Sequence, residues 1–240
     1  MKLLFATPIY PPEIGGPATY VKELCDRLGT THEITIVAYT DEKTPFSNTQ
    51  LIPVSKKDSL PVRLLKYTFQ IWKTSHYTDV IYVQNAMASG LPVALVSMFR
   101  NKPFILKFVG DEAWERATQR HETSKTLEEF YKQPEGSFRI KLMMFIQGFV
   151  LRRATIVTTP SEYLMKEIIG AYSIDPKRTV VNYNAAEYTN ESTFDNTLNK
   201  KHQILTTARL VPWKGIDGII HAVGILKKKI PDVTLVIAGD

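Results

Sequence analysis

The sequence predicts an α/β protein built on a parallel sheet, followed by the start of a second unit of the same kind. Three observations carry this expectation. Short apolar runs alternate with longer stretches of helical periodicity through the first 185 residues. The apolar runs look buried on both faces, as strands of a parallel sheet do. A polar stretch at 187–199 then breaks the alternation, and a fresh strand–helix–strand pattern follows it.

Residues 3–6 read as the first strand. Residues 17–28 read as a helix with Pro17 in its first turn, where a missing N–H is harmless. Residues 33–39 form the second strand and 51–54 a short third. Residues 61–73 are helical, with Val62, Leu65, Phe69 and Trp72 on one face. A strand at 80–84, a helix at 91–99 and a strand at 104–109 come next. A helix at 138–153, a strand at 155–159 and a helix at 161–171 follow, and Ser161 can cap the last. Residues 178–183 close this series. Beyond the polar stretch come a strand at 204–208, a helix at 216–229 and a strand at 233–238. The expected division is a first domain at 1–185, a linker at 186–202 and a second unit at 203–240. One β-α-β unit is too small to hold a core by itself, so the second domain is expected to be incomplete.

Composition narrows the function classes. Apolar residues make up 44% and charged residues 22% of the 240, ordinary globular usage that argues against disorder. Thirty basic and 24 acidic residues leave a net charge of +6, which suits a phosphorylated ligand or an anionic membrane face. No arginine-glycine tract, zinc spacing or stacking motif points to nucleic acid. The single cysteine, Cys25, excludes an internal disulfide; its helical spacing with Val21, Leu24 and Leu28 reads as core rather than nucleophile. The five histidines are scattered without a metal-binding spacing, so no metal is expected. The N-terminus does not resemble a signal peptide. The longest apolar candidate, 140–151, is interrupted by Lys141, Gln147 and Gly148 and falls short of the ~18–20 residues of a membrane span. A cytoplasmic protein is expected, soluble or peripheral at the inner face of the plasma membrane. Residues 56–73 and 138–153 are basic. They could rest on an anionic membrane, or pack their apolar faces on the sheet with the cations in water.

In parallel sheets ligands bind beyond the carboxyl ends of the strands. After the first strand, Gly15 and Gly16 precede a helix. They allow close backbone approach, and the helix start offers free N–H groups to a phosphate. A plain Pro/Gly turn would look the same, and neither Gly-x-Gly-x-x-Gly nor a Walker loop is present. After the strand at 204–208, Arg209 and Lys214 sit at the two ends of a strand–helix corner, where two cations can clamp a diphosphate. Solvated surface cations are the bland alternative.

The stretch Thr7-Pro-Ile-Tyr-Pro-Pro-Glu-Ile-Gly-Gly, with Ala208-Arg-Leu-Val-Pro-Trp-Lys-Gly-Ile-Asp and Leu235-Val-Ile-Ala-Gly-Asp, resembles the retaining glycosyltransferases of family 4. The resemblance runs over nearly the whole chain and implies the GT-B fold, two Rossmann-like domains facing across a cleft. It implies transfer of a sugar from a nucleoside-diphosphate donor to a lipid-linked or polysaccharide acceptor, without metal or cofactor. Gly15 and Gly16 would then meet the donor diphosphate from one side, and Arg209 and Lys214 from the other. Where many relatives carry a histidine near the sugar, this chain has Val109. Asp111 becomes the best-placed polar group for a catalytic or sugar contact, although a turn residue would look the same. Glu112 and Asn184 are further candidates for acceptor or sugar contacts. Ala185 replaces a glycine usual in relatives, and the acidic pair that binds donor sugar and ribose is expected beyond Asp240.

Three other readings stay open. A sugar-nucleotide epimerase shares the fold, but needs an acid–base pair. A dinucleotide-binding domain could use Asp41 and Glu42 on a ribose, but lacks the glycine turn. A non-catalytic nucleotide-binding fragment is the third.

Overall fold

The computed structural model describes residues 1–185 and 202–239. All but the last residue of the expected linker at 186–202 lies outside the described residues. Seven parallel strands form one sheet in the order β3-β2-β1-β4-β5-β6-β7. They are β1 (Lys2–Thr7), β2 (Glu33–Tyr39), β3 (Thr49–Val54), β4 (Val80–Gln84), β5 (Phe104–Lys107), β6 (Ile156–Thr159) and β7 (Thr179–Val181). The helices joining them are α1 (Gly16–Leu28), α2 (Leu60–Ser75), α3 (Gly90–Arg100), α4 (Glu112–Gln119), α5 (Leu127–Lys132), α6 (Phe138–Arg153) and α7 (Glu162–Tyr172).

The period-2 geometry of a strand divides the sheet's side chains between two cores. Leu4 and Ala6 of β1 join Val37, Ile81, Val83 and Leu106 in the larger one, closed by α2, α3, α6 and α7. Phe5 points the other way and packs with Ile34 and Ile36 against Val21 and Cys25 of α1. Cys25 is buried as expected, and burial pushes its thiol up to about 12, which keeps it protonated and unreactive.

Two helices were not expected from periodicity, α4 and α5. Both are too short for an apolar repeat to register, and their caps define them instead. Asp111 accepts from the Trp114 N–H at 2.8 Å to start α4. Thr126 and Glu129 form a reciprocal capping box on α5, a Thr-x-x-Glu signature present in the sequence. Ala113, Ala117, Phe130 and Ile140 tie these helices to α6 in a small third core. The strand expected through Val109 ends at Lys107. The Phe108 N–H still donates to Thr158, but Val109 has left the sheet and is half exposed.

The orientation of α2 corrects an assumption built into its apolar stripe. Val62, Leu65, Phe69 and Trp72 do share a face, but it looks into solvent. The buried side is Tyr67, Ile71 and Ser75. Tyr67 wins the inward position because its ring stacks on Tyr39, centroids 4.2 Å apart, and its hydroxyl reaches the Val37 carbonyl at 2.9 Å.

Residues 202–239 form a parallel pair, β8 (Gln203–Thr207) and β9 (Thr234–Ala238), joined by α8 (Ile216–Leu226). No residue of α8 is buried, and Val233 is the one buried side chain among the described residues of this unit.

Candidate functional site

The chain order of the sheet reverses between β1 and β4, since β1 connects outward to β2 while β4 connects toward β5. Loops leaving neighbouring strands at such a point splay apart and open a crevice at the carboxyl ends. Of the sequence-predicted residues, Gly15 and Gly16 follow β1, Asp111 and Glu112 follow β5, and Asn184 follows β7, each beyond the carboxyl end of its strand.

Gly15 and Gly16 lie beyond β1. A Cβ on Gly15 would come within 2.6 Å of the Ile9 side chain, whereas one on Gly16 would meet nothing within 4 Å. Helix α1 begins here without a side-chain cap and with Pro17 in its first turn, so its positive end is left to whatever occupies the space in front. Beneath this helix lies a cation that periodicity reading passed over. Lys107, at the end of β5, is 6% exposed; its ammonium sits 3.3 Å from the centroid of the Tyr20 ring and donates to Asn184 Oδ1 at 2.8 Å. A lysine closing the strand Phe-Ile-Leu-Lys was the legible signal. Asn184 is thus anchored from below while its residue remains exposed.

Asp111 is placed differently from a substrate-facing group. It is 1% exposed, with one oxygen on the Trp114 N–H and the other accepting from the hydroxyls of Tyr131, at 2.7 Å, and Tyr172. Tyr172 also accepts from Gln147 Nε2 at 3.0 Å, and Gln147 Oε1 accepts from the Glu112 N–H at 2.9 Å. Burial and the neighbouring Asp111 charge push both phenols well above their ordinary range, so they remain donors. The carboxylate is the hub that fixes the start of α4 against α5, α6 and α7.

The two glutamates carried by α4 are the more responsive groups. Burial, followed by the nearby Glu115 charge, pushes the Glu112 carboxyl up to about 7, against opposing hydrogen bonds from Met87 and Asn85. Asn85 leads out of β4 with φ 78, a left-handed conformation uncommon outside glycine, and its side chain holds the Met87 and Ala88 N–H groups at 2.9 and 2.7 Å. Glu115 is also raised by burial, while Arg209 and Lys214 of the second unit pull it back down. Its Oε1 lies where a side chain on Gly110 would stand, 2.5 Å from that Cβ position.

Arg209 follows β8 and Lys214 closes a single 3-10 turn, Pro212–Lys214. Gly215 next to it has φ 62, which a glycine adopts without strain, and this turns the chain into α8. Both cations are exposed, and the Trp213 ring between them lies 6.0 Å from that of Trp114 on α4. The structure therefore brings Arg209 and Lys214 into electrostatic reach of Glu115, beside Glu112. Among the described residues no cluster of three His, Cys, Asp or Glu side chains could hold a metal.

A seven-stranded parallel sheet followed by a second parallel β-α-β unit is the arrangement of a GT-B fold. Residues 15–185 match the glycosyl transferase 4-like domain, and 189–240 match the glycosyl transferases group 1. The first match covers most of the chain, and the chain belongs to the glycosyl transferase 4-like family. No curated protein matches it. Among solved structures, Anabaena HepE in complex with UDP-glucose is 16% identical, with a TM-score of 0.64, over 99% of this chain and 60% of that one. A glycosyltransferase from Rickettsia africae is 16% identical with a TM-score of 0.56, over 100% of this chain and 60% of that one. The UDP-GlcNAc 2-epimerase of Methanocaldococcus jannaschii is 14% identical, TM-score 0.54, over 99% and 65% respectively. The chain thus spans about 60% of the length of the HepE and Rickettsia structures. At these identities the likeness is one of fold.

Proposed function

We propose that this chain carries the crevice of a retaining, metal-independent glycosyltransferase of family 4. Its donor is a nucleoside-diphosphate hexose and its acceptor a lipid-linked or polysaccharide precursor. The observation that carries the reading is the approach of Arg209 and Lys214 to the acidic α4. Both cations are exposed beside α4, and a diphosphate suits a guanidinium fork beside a point charge.

The chemistry follows from charge. As the glycosidic bond breaks, negative charge grows on the leaving phosphate. Arg209 and Lys214 stabilise it, as does the uncapped N-terminus of α1 behind Gly16. Glu112, with a carboxyl near 7, can take the proton that the acceptor hydroxyl gives up. Asp111 acts here as a positioning residue, holding the first turn of α4 so that Glu112 and Glu115 project where they do.

Calorimetric titration with UDP-glucose and with NAD tests the donor class. Binding of NAD in preference to UDP-glucose overturns the reading in favour of a dinucleotide domain. Epimerase neighbours and a proton-exchanging Glu112 favour epimerisation as the second reading. Analysis of the sugar released from UDP-GlcNAc, without acceptor, separates the two.

A further inference from the structure

The chemistry proposed above leaves one cation unused. Lys107 ends β5 and is 6% exposed. The sheet register sets it beside Gln84 at the end of β4, and Gln84 Oε1 accepts from the Thr7 hydroxyl of β1 at 3.0 Å. Thr7 and Gln84 are buried as well. Polar side chains thus end three neighbouring strands, on both sides of the point where the chain order of the sheet reverses.

A buried ammonium is costly unless a counter-charge or a full set of acceptors meets it. Among the described residues no carboxylate pairs with Lys107. It has the face of the Tyr20 ring and one acceptor, Asn184 Oδ1. That single hydrogen bond settles the direction of the amide. A lysine ammonium only donates, so the Asn184 oxygen faces it and the nitrogen faces away. Asn184 is exposed, and no described residue accepts from that nitrogen. A cation held against the carbonyl oxygen also polarises the amide and makes its N–H groups stronger donors.

We propose that Lys107 is a positioning residue, which holds the exposed Asn184 amide with its nitrogen outward as a hydrogen-bond donor to a phosphate oxygen. Charge selects phosphate over a neutral hydroxyl, because only an anion offsets the buried ammonium behind the amide. Two sources supply this chemistry: the diphosphate of a sugar nucleotide and the phosphate of a lipid-linked acceptor. The inference rests on the sugar-transfer reading for both.

Calorimetric titration of the chain with UDP, with geranyl diphosphate and with uridine tests it. Asn184→Asp keeps an acceptor for Lys107 but has no N–H to give. Its thermal midpoint should equal or exceed that of the parent, while phosphate binding weakens by about 10–100-fold, the range for losing a hydrogen bond to a charged group. Uridine, which lacks phosphate, should not distinguish variant from parent. Lys107→Met removes the charge and frees the amide to turn, at about 10-fold in phosphate affinity. In an Asn184→Ala background the same change should cost about 2-fold or less, since Lys107 acts through the amide. Weakened UDP binding assigns the donor as the source of the phosphate. A loss confined to geranyl diphosphate assigns the acceptor; if UDP then does not bind at all, the donor reading fails while the positioning role stands. UDP and geranyl diphosphate affinities unchanged in Asn184→Asp overturn the positioning role and leave the donor reading intact. The role is also overturned if Lys107→Met costs as much without the Asn184 amide as with it, or if the parent binds neither phosphate ligand.

Discussion

Replacing Asp111 by alanine separates a structural hub from a catalytic carboxylate. The side chain is buried and satisfies three donors: the Trp114 N–H and the hydroxyls of Tyr131 and Tyr172. Alanine leaves the buried Tyr172 hydroxyl and the partly buried Tyr131 hydroxyl without their acceptor, at about 1–3 kcal/mol each. It also removes the cap of α4, at about 1 kcal/mol. The expected loss is therefore about 3–7 kcal/mol, a large part of the ~5–15 kcal/mol that holds a domain together. With a urea slope of about 1–3 kcal/mol per molar, the unfolding midpoint should fall by roughly 2 M. Tyr131→Phe removes one donor and leaves the carboxylate paired with the other two, so it should cost only about 1 kcal/mol. The assay is urea denaturation of the three proteins followed by far-UV circular dichroism. An Asp111→Ala midpoint within ~0.3 M of the parent would refute the hub, most clearly if sugar transfer were lost at the same time.

Other expectations rest on the crevice. In the sugar-transfer reaction, Arg209→Ala or Lys214→Ala should each lower kcat by about 10²–10³-fold, with Arg209→Lys rescuing part; unchanged kinetics in either alanine variant dismisses the clamp. Gly16→Ala has room for its methyl, so the thermal midpoint should hold while UDP-glucose affinity falls about 10-fold; full affinity would place the ligand elsewhere. Glu112 has a folded pKa near 7, above its ordinary 4.5, so the folded chain holds its proton more tightly than the unfolded chain. Its contribution to stability is present below pH 4.5 and is lost as pH rises to about 7. Glu112→Gln should flatten the decline in stability between those values, and an unaltered profile would assign the shift to another group.

The alternation of apolar runs and helical periods was sufficient to expect a parallel α/β sheet, because strand burial and helix amphipathicity are recorded residue by residue. The positions of Gly15, Gly16, Arg209 and Lys214 between a strand and the next helix were legible for a similar reason, because such junctions are local. The surroundings of Asp111, Lys107 and Glu112 were not local. Asp111 meets Tyr131 and Tyr172 only when α5 and α7 fold against α4, and Lys107 meets Tyr20 and Asn184 only once three distant segments converge. Glu112 acquires its altered carboxyl from burial and from neighbours that α4 and the turn after β4 supply. The two stripes of α2 make the same point. Periodicity shows that Val62, Leu65, Phe69 and Trp72 share a face, but a helix with two plausible apolar faces does not declare which one is inside. That choice was made by Tyr67, whose hydroxyl finds its acceptors only between β1 and β2, because a buried polar group is stable only where the assembled fold pairs it.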